Sequence, residues 1–345
     1  MRVGIDARLV YFTRAGIGEY TLHLAQALGA SNPDDQFILL QDFRNRQPLI
    51  LASNIQPVHS LVPSHHRFEQ VLLPWVVDPL HVDVYHSPDF IPPLRGSSLS
   101  VITIHDLAFL IYPHFLTRDS ARYYGQIDRG VRRASHIIAV SESTKRDLVR
   151  LLGAPEDKIS VIYEAADPMY HPMDRATALA HVQALFNLPS DFVLFVSTIE
   201  PRKNVSGLLR AYHRLREDYR LTPDLVLAGS SGWLSDDIYH LVDELKLRPY
   251  CHFLGHVSNC DLLQLYNASL CLVHPAFYEG FGLTPLEAMA CGTPVIVANV
   301  SSLPEVVGDA ALLVDPKSDE EITVALMRLL TDTALREELR AKGLL

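Results

Sequence analysis

The chain has 345 residues, 48% hydrophobic and 20% charged, a globular composition with enough length for about two domains. Thirty Lys and Arg against 40 Asp and Glu leave a net charge of −10, so nucleic acid is a poor partner, although an anionic small ligand needs only a local group of cations. The sequence opens without an apolar leader, has no run near the ~18 apolar residues of a membrane span, and carries four cysteines with no CxxC pair. These features predict a cytoplasmic protein without disulfides. They leave attachment to the inner face of the membrane open and do not set an oligomeric state.

In chain order, short β-rich runs predict strands over residues 1–7, 37–41, 82–86, 101–105 and 136–140. A second set follows over 159–163, 192–197, 225–228, 252–254, 270–273, 295–298 and 311–314. Helical patterns alternate with them over 18–28, 120–133, 143–152, 205–216, 234–245, 261–267, 285–290 and 320–330. Runs such as "FVLFVS" and "LVLAG" are apolar throughout, as strands covered on both faces are. The fold class is therefore α/β, with parallel, doubly wound sheets. The stretch "EAADPMYHPMDRAT" (164–177) has two prolines and little periodicity. It divides the chain into Rossmann-like domains over 1–168 and 169–345. Ligands of such domains lie beyond the carboxyl ends of the strands.

The densest chemistry lies in "HPAFYEGFGLTPLEAMACGTP" (274–294). Thr284 is predicted as a helix N-cap with Pro285 at N1, where its missing N–H is harmless. Gly280 and Gly282 precede that start, and amides of a glycine loop at a helix N-terminus suit phosphate or diphosphate. Glu279 and Glu287 flank the turn, and a carboxylate accepts two hydrogen bonds from a vicinal diol. Two plainer readings stand beside this one. Thr284-x-x-Glu287 also fits a capping box, and Glu279 also fits a solvated loop residue.

The Glu279-x7-Glu287 pair and the block from His274 to Pro316 resemble retaining glycosyltransferases of family 4, the group 1 glycosyltransferases. That resemblance implies the GT-B fold, two Rossmann-like domains facing each other across a cleft. The N-terminal one (1–168) would bind the acceptor and the C-terminal one (169–345) the nucleotide-sugar donor. It places Glu287 on the donor ribose, Glu279 on the transferred sugar, and the amides around Phe281, Gly282, Leu283 and Thr284 on sugar hydroxyls and diphosphate.

A diphosphate leaving group needs cations or a metal. No Asp-x-Asp occurs, and Asp236-Asp237 reads as a solvated helix start, so metal ligands are not expected. "FVSTIEPRKN" instead puts Arg202 and Lys203 just past a buried strand. Family members commonly have Gly-Arg where this chain has Ser197-Thr198; the Thr-x-Glu-Pro-Arg-Lys-Asn form resembles the mannosyltransferase-like branch and leaves Arg202 as the second cation. Near the N-terminus, Gly16-Ile-Gly18 opens a helix without the third glycine of a dinucleotide fingerprint. The resemblance brings Gly16 and Gly18 close to the donor phosphates. His105 in "SVITIHD" closes a buried strand, and the resemblance puts it on the transferred sugar, with Asp106 as its orienting neighbour or an acceptor contact. His86 in "DVYHSPDF" is a further candidate for the acceptor pocket, and Ser141 is predicted as an N-cap. His256 and Val257, in "FLGHVSNC", would lie beside the nucleobase. Cys251, His252, His256 and Cys260 lack the spacing of a zinc site and read as buried thiols and ordinary histidines.

The resulting expectation is retaining, metal-independent transfer of a hexose, mannose preferred, from a GDP- or UDP-linked sugar to a glycan or lipid-linked acceptor, with no cofactor. A GT-B epimerase or phosphorylase, or a non-catalytic nucleotide-sugar-binding subunit, stands as the alternative. Similar proteins continue with a helix crossing back to the N-terminal domain, and the sequence stops at "LREELRAKGLL" without one.

Overall fold

Alternating apolar strands and amphipathic helices produce two parallel sheets in the computed structural model, which describes residues 1–12, 16–66, 68–113, 124–221, 223–232 and 236–345. The chain divides into compact units at Tyr163/Glu164, a few residues ahead of the expected 168/169.

The first unit contains β1 (Arg2–Asp6), β2 (Gln36–Asp42), β3 (Ile55–Ser60), β4 (Val84–Ser87), β5 (Leu99–Ile104), β6 (His136–Ala139) and β7 (Ile159–Val161). They lie in the order β3-β2-β1-β4-β5-β6-β7, and every pairing is parallel. Its helices are α1 (Ile17–Ser31), α2 (Glu69–Val77), α3 (Ala108–Ile111), α4 (Ile127–Arg133) and α5 (Glu142–Leu152). Ser141 caps α5 as expected, accepting the Thr144 N–H at 3.0 Å.

The second unit contains β8 (Phe192–Val196), β9 (Asp224–Ala228), β10 (Cys251–Gly255), β11 (Cys271–His274), β12 (Val295–Ala298) and β13 (Ala311–Val314), in the order β10-β9-β8-β11-β12-β13. Its helices are α6 (Arg175–Phe186), α7 (Val205–Tyr219), α8 (Asp236–Glu244), α9 (Asn259–Ala268), α10 (Leu283–Ala290), α11 (Leu303–Val307), α12 (Asp319–Thr331) and α13 (Thr333–Gly343). Two buried apolar layers sandwich this sheet: Phe195, Leu208, Leu227 and Ile296 on one face, and Leu194, Val226, Leu272 and Val297 on the other. Alternate residues of a single strand thus feed opposite layers.

Both sheets reverse strand order once, between β1 and β4 and between β8 and β11. In doubly wound sheets ligands bind at such reversals, outside the strand carboxyl ends.

Some expectations shift. Residues 159–163, grouped with the later strands, give β7, which pairs with β6 in the first sheet. β3 carries Pro57, which had hidden it as a strand; it lies at the sheet edge, where a proline is tolerated. Pro74 likewise masked α2. Residues 120–123 and 234–235 of two expected helices lie outside the described residues. The last helix, α13, packs against α10 and α12 within its own unit. No described helix is long and apolar enough to cross a membrane.

Candidate active site

The reversal between β8 and β11 collects most of the sequence-nominated groups. β8 ends at Val196, and the chain then runs through Ile199 to a short 3-10 turn, Pro201–Lys203. Asn204, left-handed at φ 56°, caps α7 by accepting the Gly207 N–H at 3.2 Å. Its amide donates to the carbonyls of Pro275 (3.1 Å) and Pro316 (2.6 Å). This buried side chain ties the cation-bearing turn to the loop after β11, and Phe277 N–H on the Arg202 carbonyl (2.9 Å) ties it again.

Glu279 sits at the centre. Lys203 Nζ donates to its Oε1 at 2.6 Å, and His274 Nε2 reaches the same oxygen at 2.7 Å. Arg202 Nη1 lies 3.5 Å from Oε2, a weak contact, because its guanidinium is engaged by Glu200 (3.0 Å) and the Tyr278 carbonyl (3.0 Å). The Glu279 backbone is fixed at both ends, its N–H on Ser301 Oγ (2.9 Å) and its carbonyl on Ser302 Oγ (2.9 Å). With 12% of its side chain exposed, Glu279 is far from a solvated loop residue. Burial alone would raise its pKa, but Lys203, His274 and Arg202 overcome this and hold it well below the usual carboxylate range. Burial also lowers the His274 pKa, so a neutral ring donates Nε2–H to the carboxylate. That leaves His274 Nδ1 buried and unpaired among the described residues. Sequence reasoning passed over His274, although it opens the glycine-turn segment.

α10 starts two residues earlier than Thr284 as N-cap requires. Gly282, at φ 121° and ψ 47°, is the N-cap, so Leu283 is N1, Thr284 N2 and Pro285 N3. A φ in that range favours glycine, and a Cβ there would also meet Leu303 Cδ2 at 3.0 Å. No side chain caps the helix, so its first N–H groups point outward, as an anion site requires. Gly280, Phe281 and Gly282 are well buried. Phe281 is pinned through its carbonyl to Ser302 Oγ at 2.5 Å.

Glu287 makes no capping box. It lies in the second turn of α10 and accepts Tyr266 O–H from α9 at 2.9 Å. Burial lifts its pKa from 4.5 to about 7, against the lowering effect of that hydrogen bond. Tyr266 is fully buried and packs edge-on against Tyr170, two aromatics that no sequence spacing linked to Glu287.

The remaining candidates vary. His256 is exposed and Val257 half-buried against the core beside β10. Cys251 is buried, its thiol pushed up to about 12 by burial, and His252 bonds Asp224 at 2.7 Å. Cys260, expected to be buried, is exposed because it falls on the outer face of α9's first turn. Among the described residues no group of three or more His, Cys, Asp or Glu could hold a metal ion.

In the N-terminal unit, Gly16 is the N-cap of α1 with φ 54° and ψ −114°, a conformation open to glycine, and no described residue would meet a Cβ there within 4 Å. Gly18 is buried in the first turn. His105 follows β5, with Nε2 3.0 Å from the Pro88 carbonyl and its ring edge-on to Tyr20. Asp106, expected to orient His105 or meet the acceptor, accepts the Ala108 N–H at 3.0 Å through Oδ1 and turns the chain into α3. His86 is buried with Nε2 on Thr103 Oγ1 at 2.9 Å, and Tyr20 O–H meets the same hydroxyl at 3.2 Å. Burial moves the His86 pKa down to about 4, so it is neutral at ordinary pH.

Solved structures with a similar fold include glycosyltransferases of GT-B type. Sucrose-phosphate synthase from Thermosynechococcus elongatus superposes over 99% of this chain and 93% of its own at a TM-score of 0.80 and 21% identity. The lipopolysaccharide-pathway glycosyltransferase WaaG does so over 100% and 94% at 0.76 and 16%. At the level of sequence, residues 14–169 match the model described as Glycosyltransferase Family 4, and 178–344 match Glycosyl transferases group 1. O-antigen chain mannosyltransferase B of Escherichia coli is 32% identical over all of this chain and 94% of its own length. O-antigen chain mannosyltransferase RfbU of Salmonella typhimurium is 27% identical over 81% and 72%. The chain belongs to glycosyltransferase family 4.

Proposed function

We propose that the protein transfers a hexose, mannose by preference, from a nucleoside-diphosphate sugar to a hydroxyl of a glycan or glycolipid acceptor, with retention of anomeric configuration and without a metal ion or other cofactor. The observation carrying this reading is the meeting of Lys203 Nζ and His274 Nε2 on one oxygen of Glu279, in the unit whose α10 leaves its N-terminus uncapped. A cation and helix-end amides suit a diphosphate, and a fixed, ionised carboxylate suits sugar hydroxyls. Glu287 takes the ribose diol. The mannose preference leans on the relatives named as O-antigen mannosyltransferases. A nucleotide-linked donor is supported by the similar fold of Anabaena HepE, solved with UDP-glucose.

In this scheme the acceptor oxygen bonds to the anomeric carbon on the face from which the diphosphate leaves. The breaking C–O bond gives its electron pair to the diphosphate, one of whose oxygens takes the acceptor proton. Lys203 and the α10 amides stabilise the charge that develops. Glu279 orients the sugar and stays ionised.

A thermal-shift series with GDP- and UDP-sugars and the free diphosphates tests donor binding; a ligand at 100 times its Kd adds about 2.7 kcal/mol. The bound donor is then assayed with mannosides, with and without chelator, and the anomer formed is read by NMR. Stabilisation by one nucleotide sugar, turnover in chelator and an unchanged anomer are expected. Failure of every donor to bind, an inverted product or a strict need for a divalent ion overturns the scheme.

A further inference from the structure

Glu279 offers two oxygens, and the protein uses them unequally. Oε1 takes both strong contacts, Lys203 Nζ at 2.6 Å and His274 Nε2 at 2.7 Å. Among the described residues Oε2 meets only Arg202 Nη1 at 3.5 Å, too long for a firm hydrogen bond, so it is the oxygen left to accept from a ligand. The two donors on Oε1 differ in kind. Lys203 carries a charge on a flexible four-carbon stem at the end of a single 3-10 turn. His274 is uncharged and fixed. It closes β11, pairs in register with Val297 of β12, is 2% exposed, and its ring lies parallel to Phe195 with 6.4 Å between centroids. The Pro275 carbonyl next to it is held by Asn204 at 3.1 Å.

The other ring nitrogen gives a second observation. With Nε2–H donated to Glu279, Nδ1 is an acceptor, and it lies buried without a donor among the described residues. An unpaired buried acceptor weakens a fold. The three residues before it in β11, Cys271, Leu272 and Val273, are apolar and fully buried, so a leucine or phenylalanine at 274 would match its strand and carry no such cost. The single hydrogen bond that the imidazole does make is the one that fixes the direction of the carboxylate. Stability of the strand therefore does not account for a histidine here, whereas control of Glu279 does.

We infer that His274 is a positioning residue for the transfer: it sets the direction of the Glu279 carboxylate, so that Oε2 faces the sugar, and leaves the Lys203 charge to the diphosphate. A neutral donor holds the carboxylate without drawing on the positive charge that the leaving group needs. When the Lys203 ammonium shares its N–H groups with the diphosphate, His274 still holds Oε1. Geometry is carried by a rigid strand end and charge by a mobile stem. This rests on the transferase reading above and adds to it a residue that acts through Glu279.

The test compares the full chain with four variants. His274→Phe keeps a flat ring beside Phe195 and loses the donor, His274→Leu is a second apolar replacement, His274→Gln restores an N–H, and Lys203→Ala removes the charge. Calorimetry gives Kd for GDP, UDP, GDP-mannose and UDP-glucose, and assays with methyl α-mannoside give kcat and KM. Melting temperature reports folding, and crystallography of the donor-free protein reports the Glu279 rotamer. In His274→Phe and His274→Leu, kcat should fall about 10- to 100-fold, the range for losing one hydrogen bond to a charged group, with diphosphate Kd within about 3-fold of the parent. Their melting temperature should hold, and Glu279 should spread over more than one rotamer. His274→Gln should recover most of the lost kcat, and Lys203→Ala should weaken diphosphate binding as well as turnover. A purely structural role predicts the reverse, a lowered melting temperature with kcat of the folded fraction unchanged. Unchanged kcat in a folded apolar variant, a loss of diphosphate affinity as large as the loss of kcat, or Glu279 unmoved in both apolar variants overturns the assignment. If the unaltered protein binds none of the nucleotides, the transferase reading falls, and the Glu279 rotamers still decide whether His274 positions it.

Discussion

The two sheets share one strand order but furnish their reversals in opposite ways. At β8/β11 a partly accessible glutamate is held by Lys203 and His274, so cation and carboxylate both stand at the surface of the crevice. At β1/β4 the cation, Arg8, is sunk to 1% exposure against Asp6 and Glu69, and hydroxyl and carboxylate groups, Ser87 and Asp89 among them, line the cavity beside it. One topology thus yields two crevices that differ in how deeply the cation is set. That depth matters, since desolvation and pairing set what a charge can still attract.

The largest effect should come from removing the buried cation. Arg8→Met leaves Asp6 and Glu69 buried without their counter-charge and should cost about 3–5 kcal/mol. Chemical denaturation followed by a probe in the N-terminal unit measures it, and a loss under about 1 kcal/mol would mean that Arg8 does not anchor this crevice. Next comes Lys203→Ala. Loss of the stabilising donor should lower transfer by about 10²-fold while leaving the fold intact. Near-normal kcat/KM would erase the contrast, because the second crevice would then no longer depend on its accessible cation.

A third prediction concerns Glu287, whose pKa stands at about 7 in the fold against 4.5 ordinarily. A raised pKa means that the protonated form suits the fold, so the stability it contributes is complete below pH 4.5 and is lost as pH climbs through about 7. Glu287→Gln, which mimics the protonated form, should therefore gain on the parent across that window in melting curves run from pH 4.5 to 8; parallel curves would refute the shift. The smallest change is Tyr266→Phe, which deletes one hydrogen bond to Glu287 and should cost about 1 kcal/mol, read from the same curves.

The sequence made the β8/β11 crevice legible because its parts are close in sequence or stand at a strand end. Glu279, Glu287 and the glycine turn form one run, and Lys203 follows a plainly apolar strand. What it could not supply was pairing across distance. Tyr266 meets Glu287 from a different helix, so the capping box stayed open as an alternative until the contact was seen. The Arg8–Glu69 bond spans 61 residues and uses a helix hidden by Pro74. Asp6 and Arg8 did stand in plain view at and just past the end of the first strand, and Ser87 directly after His86. Attention to every strand end, instead of to histidines alone, would have found them. The N-cap at Gly282 in place of Thr284 reflects backbone geometry, a φ of 121°, that residue preference does not encode.

The salt link between Lys203 and Glu279 has a consequence for competition inside a cell. Because the lysine is already neutralised at 2.6 Å, a bare anion such as inorganic phosphate can capture it only by taking it from the glutamate. A molecule bearing both an anionic tail and a polyol head replaces each half of the link at once. The pair is thus a closed unit whose two halves are released together only when both partners are supplied.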